Sequence, residues 1–177
     1  MESSPGLIEI TCATAVDRPA IETLLDACFG PARHNRTAYR LRDGAVSIAG
    51  LSCVARDAGA VIGSLQCWDI ALRGVFGSRS PLVLLGPVAV TAGQRGAGIA
   101  SALMRQALAA ADAVGAPPVL LIGDESFYGR FGFSAAATGA WIMPGPVDRT
   151  RLLLRGDATG LPSVAWVEGK DGLRRAA

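Results

Sequence analysis

The residues best suited to chemistry lie at positions 93–100, Gly-Gln-Arg-Gly-Ala-Gly-Ile-Ala. Glycines at 93, 96 and 98 open a run with apolar residues at helical spacing: Ile99, Leu103, Ala107, Ala110 and Val114. A helix that begins here presents backbone N–H groups that have no intrahelical partner, and its dipole favours negative charge. A glycine-rich entry lets a phosphate come close to those groups. Residues 95–100 are therefore read as an anion cradle for a phosphorylated cofactor. Two common glycine fingerprints fail. The dinucleotide pattern needs a third glycine where Ser101 stands, and an acidic residue about 20 positions further on, where Ala116, Pro117 and Pro118 stand. The nucleoside-triphosphate pattern needs a lysine at the helix start, and the first lysine of the chain is Lys170.

The elements around the cradle form a strand–helix–strand unit. Residues 82–90 read as a Val- and Leu-rich strand interrupted by Gly86-Pro87, a pair that marks an edge or a bulge because proline cannot donate to a ladder. The helix runs to about 114, Ala116-Pro117-Pro118 ends it, and an apolar strand reaches 122. Such a crossover joins parallel strands. A short aromatic helix over 125–131 follows, stopped by Gly132. Upstream, 7–14 reads as a strand. Asp17 is an N-cap with Pro19 in the first turn, and the helix carries Ala20, Ile21, Leu24, Leu25 and Cys28 on one face until Gly30-Pro31. Residues 33–42 hold four arginines, His34 and Tyr39, and read as a solvated second helix with Tyr39 and Leu41 inward. Residues 51–56 and 60–70 flank the hairpin signal Asp57-Ala58-Gly59, and 71–80 is a loop or a second hairpin turn. After 133 the pattern weakens: 135–140 is small-residue chain, 144–146 a loop, and 141–143, 152–154 and 164–167 are closing strands. Residues 1–5 and 171–177 are polar or frayed tails.

Composition bounds the function. With 177 residues, half of them hydrophobic, the chain is expected to form one globular domain over 1–177. A formal charge of +2 speaks against a nucleic-acid surface, and no uncharged apolar run reaches membrane length. The N-terminus lacks a basic start and an apolar core, so no secretory signal is expected. Cys12, Cys28, Cys53 and Cys67 form no C-x-x-C pair and sit in apolar patterns, so they are read as buried structural thiols in a reducing cytoplasm. One histidine in the chain argues against a metal site.

Arg95-Gly96-Ala97-Gly98-Ile99-Ala100 is similar to the [RQ]-x-x-G-x-[GA] loop of the GNAT superfamily of N-acetyltransferases. Tyr128 to Phe133 matches that family's Y-x-x-x-G-F signature, and 123–133 resembles a bacterial subgroup with G-D-x-x-Y-Y-x-R-F-G-F, in which Phe127 replaces the first tyrosine. The matched motifs span residues 82–133; elsewhere only the order of elements agrees. The resemblance implies an α/β fold with a central mixed sheet, helices on both faces and a splayed parallel strand pair. It implies that Arg95, Gly96, Ala97, Gly98, Ile99 and Ala100 hold the pyrophosphate of acetyl-CoA, that the pantetheine arm pairs with the backbone of Val88, Ala89 and Val90, and that Tyr128 protonates the departing thiolate. The acceptor side would be built by Arg33 and Arg36, as a lid, and by Trp68 and Asp69. The general base stays open among Asp124, Glu125, Asp69, His34 and water, since 82–90 carries no titratable side chain; Asp124 also reads as the N-cap of the helix bearing Tyr128. The implied activity is acetyl-CoA-dependent acetylation of a primary amine by direct attack in a ternary complex. The acceptor is a small molecule or peptide, no metal takes part, and a homodimer is compatible. A non-catalytic acyl-CoA-binding or sensor module is the alternative. The absent lysine and the broken dinucleotide pattern count against an unrelated α/β nucleotide-binding domain.

Overall fold

The computed structural model describes residues 7–170; the tails at 1–5 and 171–177 lie outside the described residues. In chain order the elements are β1 (Glu9–Cys12), α1 (Arg18–Phe29), α2 (Thr37–Arg42), β2 (Cys53–Asp57), β3 (Ala60–Gly74), β4 (Arg79–Val90), α3 (Ile99–Ala113), β5 (Val119–Ile122), α4 (Glu125–Tyr128), β6 (Trp141–Ile142), β7 (Leu152–Arg155) and β8 (Ala165–Gly169). The strands form a mixed sheet of order β1-β2-β3-β4-β5-β7, with β8 pairing with β3 and β6. The fold is α/β, as expected. Among the described residues, no helix is long and apolar enough to cross a membrane. The described chain falls into two compact units, residues 7–31, 48–66 and 87–115 in one and 32–47, 67–86 and 116–170 in the other.

In the first unit β1, β2 and the start of β3 are antiparallel neighbours. Alternation sends successive side chains to opposite faces, and a helix covers each face. α1 buries Ile21, Leu24 and Leu25 against Val54 and Ala89. α3 lies over Ala55 and Gly63: a Cβ at Gly63 would stand 3.1 Å from Ile99 and 3.2 Å from Leu103, so the strand needs its smallest residue there. The stripes differ from the sequence reading at their ends. Ala20 is exposed. Val114 falls just past α3 and is also exposed, whereas Met104, Leu108 and Ala111 join the buried face. A stripe of period 3.6 drifts by a residue over four turns, and the extra apolar positions absorb the drift.

The hairpin between β2 and β3 turns through Ala58 and Gly59, both at positive φ (46° and 83°). Two left-handed residues in succession match the twist of the strands they join. Glycine tolerates this; alanine pays for its Cβ. Ala58→Asn, which supplies the preferred Asn-Gly pair, is expected to stabilise the protein by about 1 kcal/mol, read from the urea midpoint.

Asp17 occupies the N-cap position of α1 without a side-chain bond to the helix. Its carboxylate instead accepts from the Thr14 backbone N–H (2.8 Å) and hydroxyl (3.0 Å) and pairs with Arg56 of β2. Burial pushes this carboxyl up, but the Thr14 bonds and the Arg56 guanidinium outweigh it and hold it below its ordinary value of 3.8. A lowered carboxylate contributes stability that is present above 3.8 and lost as pH falls through the folded value. Asp17→Asn should therefore be less stable than wild type at pH 7, and the gap between their urea midpoints should close as the pH is lowered below 3.8.

In the second unit β5 is parallel to β4 (Val83↔Val119, Leu84↔Leu120) and antiparallel to β7. The later part of β3 pairs with β8, and β6 runs parallel to β8. Leu72, Leu82, Leu84, Leu120, Leu152 and Trp141 form the core of this unit, and the Trp141 indole N–H donates to Pro162 O at 3.0 Å. β3 is longer than the sequence predicts. It continues to Gly74, and a tight turn leads into β4, with Gly74 N–H bonded to Ser78 O at 2.8 Å.

Candidate active site

The cradle belongs to the first unit. Gly98 caps α3 in a left-handed conformation (φ 77°, ψ 5°), and Gly96 is left-handed too (φ 88°). No atom lies within 4 Å of where a Cβ would stand on either glycine, and residues 95–98 are exposed. The first helical bond runs from Ala102 N–H to Gly98 O at 3.0 Å. The amides of residues 99–101 therefore have no intrahelical partner and sit at the positive end of the dipole, open to an anion. Ile99 is 3% exposed in the α3 stripe, so only its backbone can serve the loop.

The strand leading into this loop has a definite polarity. Thr91 N–H donates to Ile62 O of β3 at 2.8 Å. Backbone groups alternate along a strand, so those of Val90 and Val88 face away from β3, while those of Ala89 face towards it. The Ala89 side chain is core, packed with Ile21, Leu24, Leu25 and Val54. Of the three consecutive positions anticipated for ligand pairing, Val88 and Val90 turn their backbone groups away from β3, and Ala89 turns its own towards it. The Cys28 thiol of α1 donates to Val90 O at 3.4 Å.

In the second unit the parallel ladder of β4 and β5 is recorded at Val83 and Leu84, and two residues later Gly86 has φ 131°. This is the irregularity that Gly86-Pro87 predicts. The Trp68 indole N–H donates to Gly86 O at 2.8 Å, so a ring on β3 fixes the kinked carbonyl.

Tyr128 ends α4, whose amides at Phe127 and Tyr128 bond back to Asp124 O at 2.9 and 3.0 Å. A 3₁₀ turn over Gly129–Phe131 continues the helix, and Gly132 stops it at φ 86°. The ring stands edge-on to Phe127 (4.8 Å) and Phe133 (6.2 Å). A Cβ on Gly123 would lie 2.2 Å from its Cε2, so the tyrosine occupies space that only a glycine leaves. Burial pushes the Tyr128 hydroxyl up, the Asp124 carboxylate adds to this, and Arg151 offsets part of it; the net shift is upward. The hydroxyl therefore holds its proton at neutral pH. Asp124 holds the N-cap position of α4, as the sequence reading has it, but its side chain makes no bond to the helix; its carboxylate meets Arg151 Nε at 2.9 Å instead.

The arginine-rich segment is less solvated than its composition suggests. Arg33 is 2% exposed and donates to the Tyr39 hydroxyl. Arg42 stacks on the Tyr39 ring at 3.6 Å and lies 5.2 Å from Trp68, and His34 meets Tyr39 edge-on at 4.9 Å. Arg33 and Trp68 thus belong to one cation–aromatic cluster. Arg36 is exposed at the start of α2. Asp69 follows Trp68 on the strand, so it faces the opposite side, and its carboxylate meets Lys170 at 2.6 Å. The segment is not a free lid: Thr37 Oγ1 donates to Pro146 O (2.6 Å), Arg40 to Pro144 O (2.7 Å), and Leu41 is buried. The sequence reading gives Arg42 only as part of the 33–42 segment and Gly123 only as the first residue of the 123–133 match. The i, i+3 spacing of Tyr39 and Arg42 signals their stacking; nothing in the sequence signals that Gly123 makes room for the Tyr128 ring.

The pattern of the acetyltransferase (GNAT) domain matches residues 9–136. The uncharacterized N-acetyltransferase YhbS of Escherichia coli K12 is 30% identical over 122 residues, 69% of this chain and 71% of that protein. The crystal structure of E. coli YhbS in complex with CoA superposes with a TM-score of 0.74 at 26% identity, covering 100% of this chain and 97% of that one. A GNAT family acetyltransferase from Brucella melitensis in complex with acetyl-CoA gives 0.60 at 26% identity, covering 85% and 97%. With a family match over 128 of 177 residues (9–136) and a relative 30% identical over 69% of the chain, the chain belongs to the GNAT family of acetyltransferases.

Proposed function

We propose that this acetyltransferase uses acetyl-CoA to acetylate a primary amine, small-molecule or peptide, by direct attack within a ternary complex. The observation that carries the reading is the open, left-handed glycine entry to α3, which fits a pyrophosphate and leads to three amides without an intrahelical partner. Arg95 and the loop of residues 96–100, with the amides at the start of α3, hold the phosphates. Val88 and Val90 offer amides that a pantetheine arm can pair with, and an amide aimed at a thioester carbonyl stabilises the charge that develops on its oxygen. Tyr128 gives its proton to the departing sulfur. Arg33, Tyr39, Arg42 and Trp68 shape the acceptor side. The attacking amine must be neutral; Asp124 and Asp69 are each engaged by a cation, which favours Glu125, His34 or water for taking its proton. The proposed compartment is a reducing cytoplasm.

Calorimetric titration with CoA, together with thiol release from acetyl-CoA in the presence of a panel of primary amines, tests this. Binding with amine-dependent release is the expected result. Binding without turnover of any amine would leave an acyl-CoA-binding module, a reading that the absence of titratable residues over 82–90 favours.

A further inference from the structure

Cys12 and Cys53 are directly opposed partners in the antiparallel ladder of β1 and β2. One step along, Ala13 N–H donates to Ser52 O at 2.9 Å. Hydrogen-bonded and non-hydrogen-bonded pairs alternate, so Cys12 and Cys53 form a non-hydrogen-bonded pair, whose Cα atoms stand about 4.5 Å apart. That separation lies inside the window of roughly 4.4–6.8 Å that a disulfide spans. Directly opposed residues also point to the same face of the sheet. The two thiols differ in access. Cys12 lies on the edge strand and is exposed, and Cys28 is half-buried, against the expectation that all four cysteines are buried. Cys53 is 2% exposed beneath α3, its thiol donating to Leu103 O at 3.6 Å. Burial, with the Cys12 thiol as second cause, pushes the Cys53 thiol up to about 12.

We propose that Cys12 and Cys53 are a dithiol site that closes to a cross-strand disulfide on reaction with a low-molecular-weight disulfide, with Cys12 as the entry thiol. The accessible Cys12 thiolate attacks one sulfur of the small disulfide and expels its first half as a thiolate, forming a mixed disulfide on Cys12. The Cys53 sulfur then attacks the Cys12 sulfur; its proton goes to the second half, which leaves as a thiol. Two protein thiols lose two electrons and two protons, and the small disulfide becomes two thiols. Buried Cys53 cannot start this sequence and exposed Cys12 can. In a reducing compartment the site rests open and closes under oxidative load. Closure ties the edge strand to β2 and encloses α1 and α2 in one covalent loop. None of this depends on acetyl transfer.

The test uses the full chain incubated with glutathione disulfide, alkylated, and mapped as non-reduced peptides by mass spectrometry. The expected product is the Cys12 peptide joined to the Cys53 peptide. The melting temperature should rise by roughly 5 °C or more and return on reduction with dithiothreitol. Cys12→Ser, a change at an exposed position, should lose both the link and the rise, while Cys28→Ser should keep both. Cys12 carrying glutathione with no link to Cys53, a link to Cys28 or Cys67 instead, or no reaction at Cys12 would each overturn the proposal. So would an undiminished rise in the Cys12→Ser protein.

Discussion

Replacing Tyr128 with phenylalanine is expected to lower kcat by roughly tens to hundreds of times and to leave coenzyme A affinity nearly unchanged. The ring and its edge contacts with Phe127 and Phe133 stay; only the hydroxyl goes. Positioned acid catalysis spans about 10²–10⁴-fold, and a thiolate leaves fairly well unaided, so the low end applies. Because burial raises the hydroxyl's titration point, the proton is retained above the ordinary phenol range, and an alkaline fall of kcat set by this group should begin later than a free tyrosine would allow. Gly123→Ala provides an independent route to the same defect. Its new methyl would stand 2.2 Å from the Tyr128 ring and must displace it. Steady-state kinetics on both variants, with calorimetry for coenzyme A, decide the matter. Wild-type kcat in the phenylalanine protein would remove Tyr128 from the chemistry, and a loss of coenzyme A affinity or of folding would make it a packing residue.

Gly98→Val should weaken coenzyme A binding at least tenfold, or about 1.4 kcal/mol. Nothing crowds the site of the new Cβ, so the effect comes from elsewhere. A β-branched residue resists φ 77°, and its bulk keeps a phosphate from the amides behind it. Gly98→Ala should bear the conformational cost with less obstruction and fall between valine and wild type. Calorimetry reads all three proteins, with thermal melts to confirm that α3 remains folded. Normal affinity in the valine protein would move the phosphate away from residues 95–98.

The glycine turn, the kink at Gly86-Pro87 and the helical stripe of α3 were legible in the sequence because each is a local pattern: a backbone conformation, a missing donor, a period. The pairings that decide charge and access were not legible. Asp124 meets Arg151, Asp69 meets Lys170, and Cys12 meets Cys53 across strands whose register depends on the whole sheet. Arg33 shows the limit most directly. Arginine in a polar run reads as solvated, and its burial follows only once the Tyr39 hydroxyl is found beside it.

If α2 shapes the acceptor side, as proposed, the two bonds that stitch it to the 144–146 loop bear on how the enzyme could change its preference for an acceptor. Arg40 reaches Pro144, Thr37 reaches Pro146, and a Cβ on Gly145 between them would come within 2.8 Å of the Thr37 hydroxyl. Insertions or deletions there would tear both segments at once. Evolution, natural or directed, is left with single-residue replacements at Asn35 and Arg36, which are exposed and precede the stitched helix. A library confined to those two positions, with Thr37, Arg40, Leu41 and Gly145 held constant, varies the proposed acceptor side without unravelling the stitched segments.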